Sequence, residues 1–274
     1  MFRYYRFGQF LLCVRGNQEL LNYLPSWNLE DVKDPNVFIP EITLTQEETD
    51  PFTSDHSENG WNAETIHDAY KSVYVFDEKA LFALHYKHVV KDVTIHLMKP
   101  IQSSIRPGLQ FGVLTALYEK CVGLHGVTLL CGNEIIILSA PSGTGKTTLS
   151  HLLEKYCNAI VINGDFAMLS LDAEGVVFEP TPFCGTSGRC LNHRVKVDRI
   201  VFLEQAKENN WQSLTVTTAL VKLMSNIFLP AWDSKMQKSI LENILRFIPY
   251  LEINNYAFAP LQEAAEMFFD NISH

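Results

Sequence analysis

The stretch EIIILSAPSGTGKTTLSHLLEKY, residues 134–156, decides the fold class. An apolar, β-branched run ends in a glycine-rich turn, and a lysine, two threonines and an amphipathic helical pattern follow. This strand–turn–helix context is what a phosphate-binding loop requires. Gly143 and Gly145 let the backbone approach phosphate oxygens without a Cβ in the way. Ser142, Thr144 and the two glycines supply loop N–H groups, and the start of the helix adds positive potential. Lys146 can reach β- and γ-phosphates, Thr147 can ligate Mg²⁺, and Thr148 extends the hydroxyl pair. The usual first glycine of the motif is replaced by Ala140, the smallest available substitute. The bland alternative is a glycine-rich turn with a chance lysine. The motif implies a nucleoside triphosphate, with ATP and Mg²⁺ as the expected cofactors, and leaves the reaction open.

Working outward, residues 126–139 predict two strands joined by a hairpin turn at Gly132-Asn133. A helix is expected over 146–156. Short strands are expected at 159–163, 167–171, 176–179 and 196–203, with a turn over 172–175. The pattern after 214 predicts helices at 214–228, 232–248 and 260–271. Upstream, residues 71–98 are rich in β-branched and aromatic residues and predict strands, and 108–121 predict a helix. The expected organisation is an N-terminal, strand-rich region over 1–105 and a nucleotide-binding core with C-terminal helices over 106–274.

Composition narrows the partners. The chain has 274 residues, 47% hydrophobic and 19% charged, enough to bury a substantial core. Its net charge of −9 argues against nucleic acid as the main ligand. The charge is localised. From Glu30 to Glu58 there are nine acids and one base, a balance of −8, while the remaining 21 bases and 22 acids leave −1. The acidic stretch 28–60 also contains Pro35, Pro40, Pro51 and Gly60 and is expected to be a loop. It reads as a solvated loop or as a docking surface for a basic peptide. No run is long enough to span a bilayer, and the N-terminus lacks a signal-peptide layout. The six cysteines show no C-x-x-C pair, so the chain is expected to be cytoplasmic with free thiols. His85, His88 and His96 lack a zinc-site spacing.

Among nucleotide-binding classes, no ABC-type signature and no convincing GTPase base-reading motif is present. The residues SGTGKTTLS, 142–150, resemble the kinase loop of phosphoenolpyruvate carboxykinases, and the wider layout resembles HPr kinase/phosphorylase. A GLHGV segment places His125 21 residues before Lys146. The strand AIVIN is followed by Gly164-Asp165, with Asp165 18 residues after Thr147. The turn-rich PTPFCGTSGRC, 180–190, follows further strands. This likeness covers about residues 120–205.

The resemblance implies an α/β fold with the P-loop core of that family and an ATP-dependent kinase activity on a serine hydroxyl. The acceptor is expected to be a protein or peptide, a natural-product precursor peptide included. The N-terminal region would recognise it, and a homo-oligomer is compatible with this. Nucleic acid and membrane are not expected partners. Asp165, at the end of a buried strand, can accept a hydroxyl proton or hold Mg²⁺ through water, and the resemblance implies the proton-acceptor role. The resemblance also implies that His125 belongs to the active site, where it can polarise a phosphate or orient Asp165. Arg189 is a candidate for neutralising charge in the transition state. Asp165 also fits a turn or cap residue, His125 a hydrogen-bonded structural histidine and Arg189 a substrate-binding or surface arginine. The family's metal-ligating glutamate has no counterpart between Glu179 and Asp198, so either Glu179 substitutes or the metal has fewer protein ligands. That departure puts the reverse, phosphorolytic reaction in doubt. A free-serine kinase and a non-catalytic nucleotide sensor remain the rival functions.

Overall fold

A computed structural model describes residues 1–24, 27, 39–46, 61–67, 70–77, 79–86, 92–97, 101–230 and 233–273. The fold is mixed α/β with two mixed sheets, and it divides into two compact units, Met1–Tyr118 and Glu119–His274.

The first unit holds strands β1 (Phe2–Phe7), β2 (Phe10–Arg15), β3 (Glu41–Gln46), β4 (Trp61–His67), β5 (Tyr70–Asp77), β6 (Lys79–Tyr86) and β7 (Val93–Leu97), with helices α1 (Gln18–Asn22) and α2 (Ile101–Leu117). The sheet order is β1-β2-β3-β7-β6-β5-β4. Alternate residues of its central strands, Ile42, Leu44, Phe82, Leu84, Ile95 and Leu97, are buried. Helix α2 packs on them through Gly108 and Gly112, one turn apart. A Cβ at Gly112 would lie 2.5 Å from Ile95 Cδ1, so a larger residue there would have to displace the Ile95 side chain.

Three expectations change here. The helix expected from 108 starts at Ile101 and continues through Pro107. The expected boundary at 105/106 therefore falls inside α2, and the division lies between Tyr118 and Glu119, because α2 packs on β3, β6 and β7. The expected loop over 28–60 contains β3, whose ITL core is drawn into the sheet between β2 and β7. The rest of that stretch, 28–38 and 47–60, lies outside the described residues, as does His88. His85 and His96 meet edge-on with ring centroids 4.5 Å apart, and His96 Nδ1 lies 2.6 Å from Thr45 Oγ1. Among the described residues no cluster of three His, Cys, Asp or Glu could hold a metal. Nor is any described helix long and apolar enough to cross a membrane.

The second unit holds β8 (Cys121–Cys131), β9 (Glu134–Ser139), α3 (Lys146–Cys157), β10 (Ile160–Asn163), β11 (Phe166–Asp172), β12 (Gly175–Glu179), β13 (Val195–Lys196), β14 (Arg199–Gln205), β15 (Asn210–Ser213), α4 (Val216–Asn226), α5 (Ser234–Phe247), β16 (Glu252–Phe258) and α6 (Gln262–Ile272). The sheet runs β13-β12-β11-β8-β9-β14-β16-β15, and β10 pairs with β8. Alternation in the strands sends residues to opposite faces. Ile136, Leu138, Val201 and Leu203 pack with Leu149, Leu153 and Phe268 of α3 and α6. Ile137, Ile200 and Phe202 pack with Leu223, Ile240, Ile244 and Phe247 of α4 and α5. The result is a helix–sheet–helix sandwich.

The central strands β9, β14 and β16 are parallel. Their N-terminal ends are tied by Arg199, which binds both carboxylate oxygens of Glu134 at 2.8 and 3.0 Å, Asn254 at 2.9 Å and Glu252 at 2.6 Å. Their C-terminal ends, Ser139, Gln205 and Phe258, all lie at the opposite edge, where parallel α/β sheets place their ligands.

Candidate functional site

The turn after β9 forms at that C-terminal edge. Gly143 and Gly145 have φ of 81° and 107°, values that side chains with a Cβ rarely adopt. Gly145 caps α3, and a Cβ there would lie 3.1 Å from Phe258 Cζ at the end of β16. Gln205 at the end of β14 donates to Gly143 O at 3.2 Å. The loop is therefore shaped by backbone conformation and held by the two neighbouring parallel strands. Helix α3 begins at Lys146, so the N–H groups of its first turn lack intrahelical acceptors and point into the space above the loop.

That space is a cavity of about 590 Å³, contained within the second unit. Its lining includes Ser142, Gly143, Gly145, Lys146, Thr147 and Thr148 of the loop and α3, together with Gly164, Asp165, Ser187 and Arg189. His125 and His151 complete the lining. Of the loop and catalytic residues expected from sequence, Thr144 is outside this lining; its hydroxyl donates to Pro141 O at 3.0 Å.

Lys146 is buried and its ammonium turns back on the loop. Nζ donates to Ala140 O at 2.7 Å and Pro141 O at 3.2 Å, and lies 2.9 Å from His125 Nε2. Burial lowers the lysine pKa, and Asp165 partly offsets this. Burial also lowers the His125 pKa, with the Lys146 charge adding to it and Asp165 opposing it. A neutral His125 can accept from Lys146 through Nε2. Its Nδ1 then carries the proton and faces Asp165 Oδ1 at 3.6 Å, near but beyond hydrogen-bond length.

Asp165 is positioned by a turn that sequence reasoning passed over. Asn163, at the end of β10, is 1% exposed, and its Oδ1 accepts from the N–H groups of both Asp165 and Phe166 at 3.0 Å. Asp165 O accepts from Gly126 N at 2.9 Å, which fixes its distance from the neighbouring His125. The signal was present as Asn-Gly-Asp at a strand end, a pattern that favours side-chain-closed turns.

Segment 184–190 packs against that turn. A Cβ on Gly164 would lie 1.9 Å from Ser187 Oγ, and one on Gly185 would lie 2.6 Å from Asp165 Cβ. Arg189 O accepts from Gly164 N at 3.1 Å, and the Arg189 guanidinium pairs with Glu154 on α3. Cys184 and Cys190 are joined in a disulfide, which corrects the expectation that all six thiols are free. The β-bridge between Asn163 and Cys190 brings that segment back to the strand end. His151, Ser187 and the Glu154 partner of Arg189 were also missed, because their relation to the loop is made by the fold and by no motif.

Glu179 is not part of the cavity lining. It is fully buried and accepts from Ser170 Oγ at 2.6 Å and Arg194 Nε at 3.2 Å. The alternative in which it substitutes as a metal ligand is therefore set aside.

No family model and no curated protein matches the chain. Among solved structures, one match is the HPr(Ser) kinase/phosphatase from Coxiella burnetii, 8% identical, with a TM-score of 0.34. It covers 55% of this chain and 93% of that chain. The likeness is distant, and the chemistry of the cavity rests on its own residues. Two of its side chains, Lys146 and Arg189, are cationic against the single acid Asp165. Such a lining favours an anionic ligand.

Proposed function

We propose that this chain is an ATP-dependent phosphotransferase with a P-loop core, acting on the serine hydroxyl of a protein or peptide. One observation carries the reading: a loop bent by Gly143 and Gly145 and followed by Lys146 lines one cavity together with His125 and Asp165. The residues present fit a nucleoside triphosphate with Mg²⁺. A Cβ at Gly143 would meet nothing within 4 Å, so the loop borders open space, and the first-turn amides of α3 face it. Thr147 would ligate the metal directly and Asp165 only through water, and the metal would neutralise phosphate charge when bound.

The protein's own groups then divide the work. Loop amides position the phosphates. The Lys146 ammonium exchanges the Ala140 and Pro141 carbonyls for phosphate oxygens, a charge-assisted contact worth more than the neutral ones it gives up. Asp165 accepts the proton of the attacking hydroxyl. His125, kept neutral by burial and by Lys146, orients the Asp165 carboxylate without competing for that proton. Arg189, in the same lining, would leave its Glu154 partner to add positive charge beside the transferring group.

The acceptor class is tested by incubating the full chain with γ-phosphate-labelled ATP, Mg²⁺, free serine and a serine-containing peptide library. Label on peptide serine is expected. Label on free serine alone would assign a small-molecule acceptor instead. Nucleotide binding with no turnover would favour a sensor.

A further inference from the structure

Ser187 has no task in the transfer just described, yet it lies in the same cavity as Lys146 and Asp165. Its position is fixed from several directions. Its Oγ donates to Cys184 O at 2.8 Å and accepts from Arg189 N at 3.2 Å. It stands so close to Gly164 that a Cβ there would lie 1.9 Å from it. The Cys184–Cys190 disulfide closes a short ring around it, and Gly164 N donates to Arg189 O of the same ring at 3.1 Å. In that ring Gly185 presses on Asp165 Cβ. A serine hydroxyl is thus packed beside the turn that bears the candidate base, in the cavity that the glycine-rich loop also lines. Proximity of this kind turns an encounter between two molecules into an internal reaction.

We propose that Ser187 is a self-modification site: the chain transfers a phosphoryl group from a nucleoside triphosphate to its own Ser187 Oγ. This rests on the phosphotransferase reading of the same cavity. In the step, Asp165 takes the hydroxyl proton and Oγ forms a bond to the γ-phosphorus. The bond from that phosphorus to the β,γ-bridging oxygen breaks, and the nucleoside diphosphate leaves with the electron pair. The hydroxyl hydrogen rotates freely about Cβ–Oγ, so its present bond to Cys184 O does not bar the transfer. The phosphoserine formed would stand in a cavity whose lining also includes Arg189 and His151, whose side chains suit a dianion. Transfer occurs within one chain, because reaching another chain's cavity would require the ring to leave Gly164. The product occupies the space a separate acceptor needs, so modification lowers transfer to any external peptide.

The test incubates the purified full chain with Mg²⁺ and ATP and follows three readouts: intact mass, peptide mapping of the phosphate and ADP release. A single phosphoryl adduct mapped to Ser187 is expected. It should be absent from Ser187→Ala and from Lys146→Ala. Its rate per molecule should be unchanged on about tenfold dilution, as for an internal reaction. Lys146→Ala mixed with wild type should stay unmodified; an adduct on it would overturn transfer within one chain. ADP release with no adduct, or with phosphate mapped elsewhere, overturns the proposal and leaves the phosphotransferase reading standing. Neither ADP release nor nucleotide binding overturns both. Mapping on the wild-type chain decides the site even if Ser187→Ala fails to fold.

Discussion

On one side of the cavity, residues 140–148 take their shape from backbone conformation, with Gly143 and Gly145 at φ of 81° and 107°. On the other side, Gly164 is not in the left-handed region; it is glycine because Ser187 fills the space its Cβ would take. The first wall is local, since its requirements are met within a few residues and by the strand ends beneath it. The second is assembled from Asn163–Asp165 and 184–190, two segments far apart in sequence and locked by contacts. On the proposed reading the first would grip phosphate and the second would receive the acceptor, so the two should be open to separate damage.

Replacing Asp165 by Asn should break the second wall's chemistry while leaving the first wall's grip. Phosphoryl transfer is expected to fall about 10²–10⁴-fold, the usual contribution of a positioned proton acceptor. ATP affinity, measured by titration calorimetry, should change little. Unchanged turnover would remove Asp165 from the base role.

Gly164→Ala sharpens the comparison further. The added methyl overlaps Ser187, so overpacking should cost about 1–3 kcal/mol in thermal unfolding. Transfer should be lost with nucleotide binding retained. Gly145→Ala should do the reverse. Its strained φ should cost about 1–2 kcal/mol, and nucleotide binding, read by the same titration, should weaken together with transfer. If both variants lost binding equally, the two walls would not be separable.

The smallest expected effect is a pH slope. Burial and Lys146 hold the His125 pKa below its usual 6.5. Below that pH the unfolded chain takes up a proton that the folded site resists, so the contribution is full above 6.5 and is lost as the pH falls. Chemical denaturation between about pH 7 and 5 should show wild type losing more stability than His125→Gln. Equal slopes would contradict a neutral His125 beside Lys146.

Legibility in the sequence followed the same division. The strand–loop–helix of β9 and α3, the Gly132-Asn133 hairpin and the pairing of β11 with β12 across 172–175 all carry their cause in adjacent residues. Strand β16 was missed, because Asn254 and Asn255 interrupt its apolar pattern. Burial at Asn254 is satisfied by the Arg199 guanidinium and by Ser213 Oγ, partners that only the fold supplies. The short edge strand β15 was missed with it. Of the site, the phosphate loop was readable as a glycine pattern. His125 and Asp165 were reached through resemblance, and the structure places both in the cavity lining. Asn163, Ser187 and His151 were not reached, since nothing local marks them as neighbours of the loop.

The central claim is that this cavity grips and transfers a nucleotide's terminal phosphate. The direct measurement is phosphoryl transfer from labelled ATP with Mg²⁺, comparing wild type with Lys146→Ala, alongside circular dichroism to verify the fold. Transfer by wild type and a loss of roughly 10²–10³-fold in a folded variant are expected, the usual cost of removing one charge-stabilising group. Equal transfer by both proteins would contradict the account.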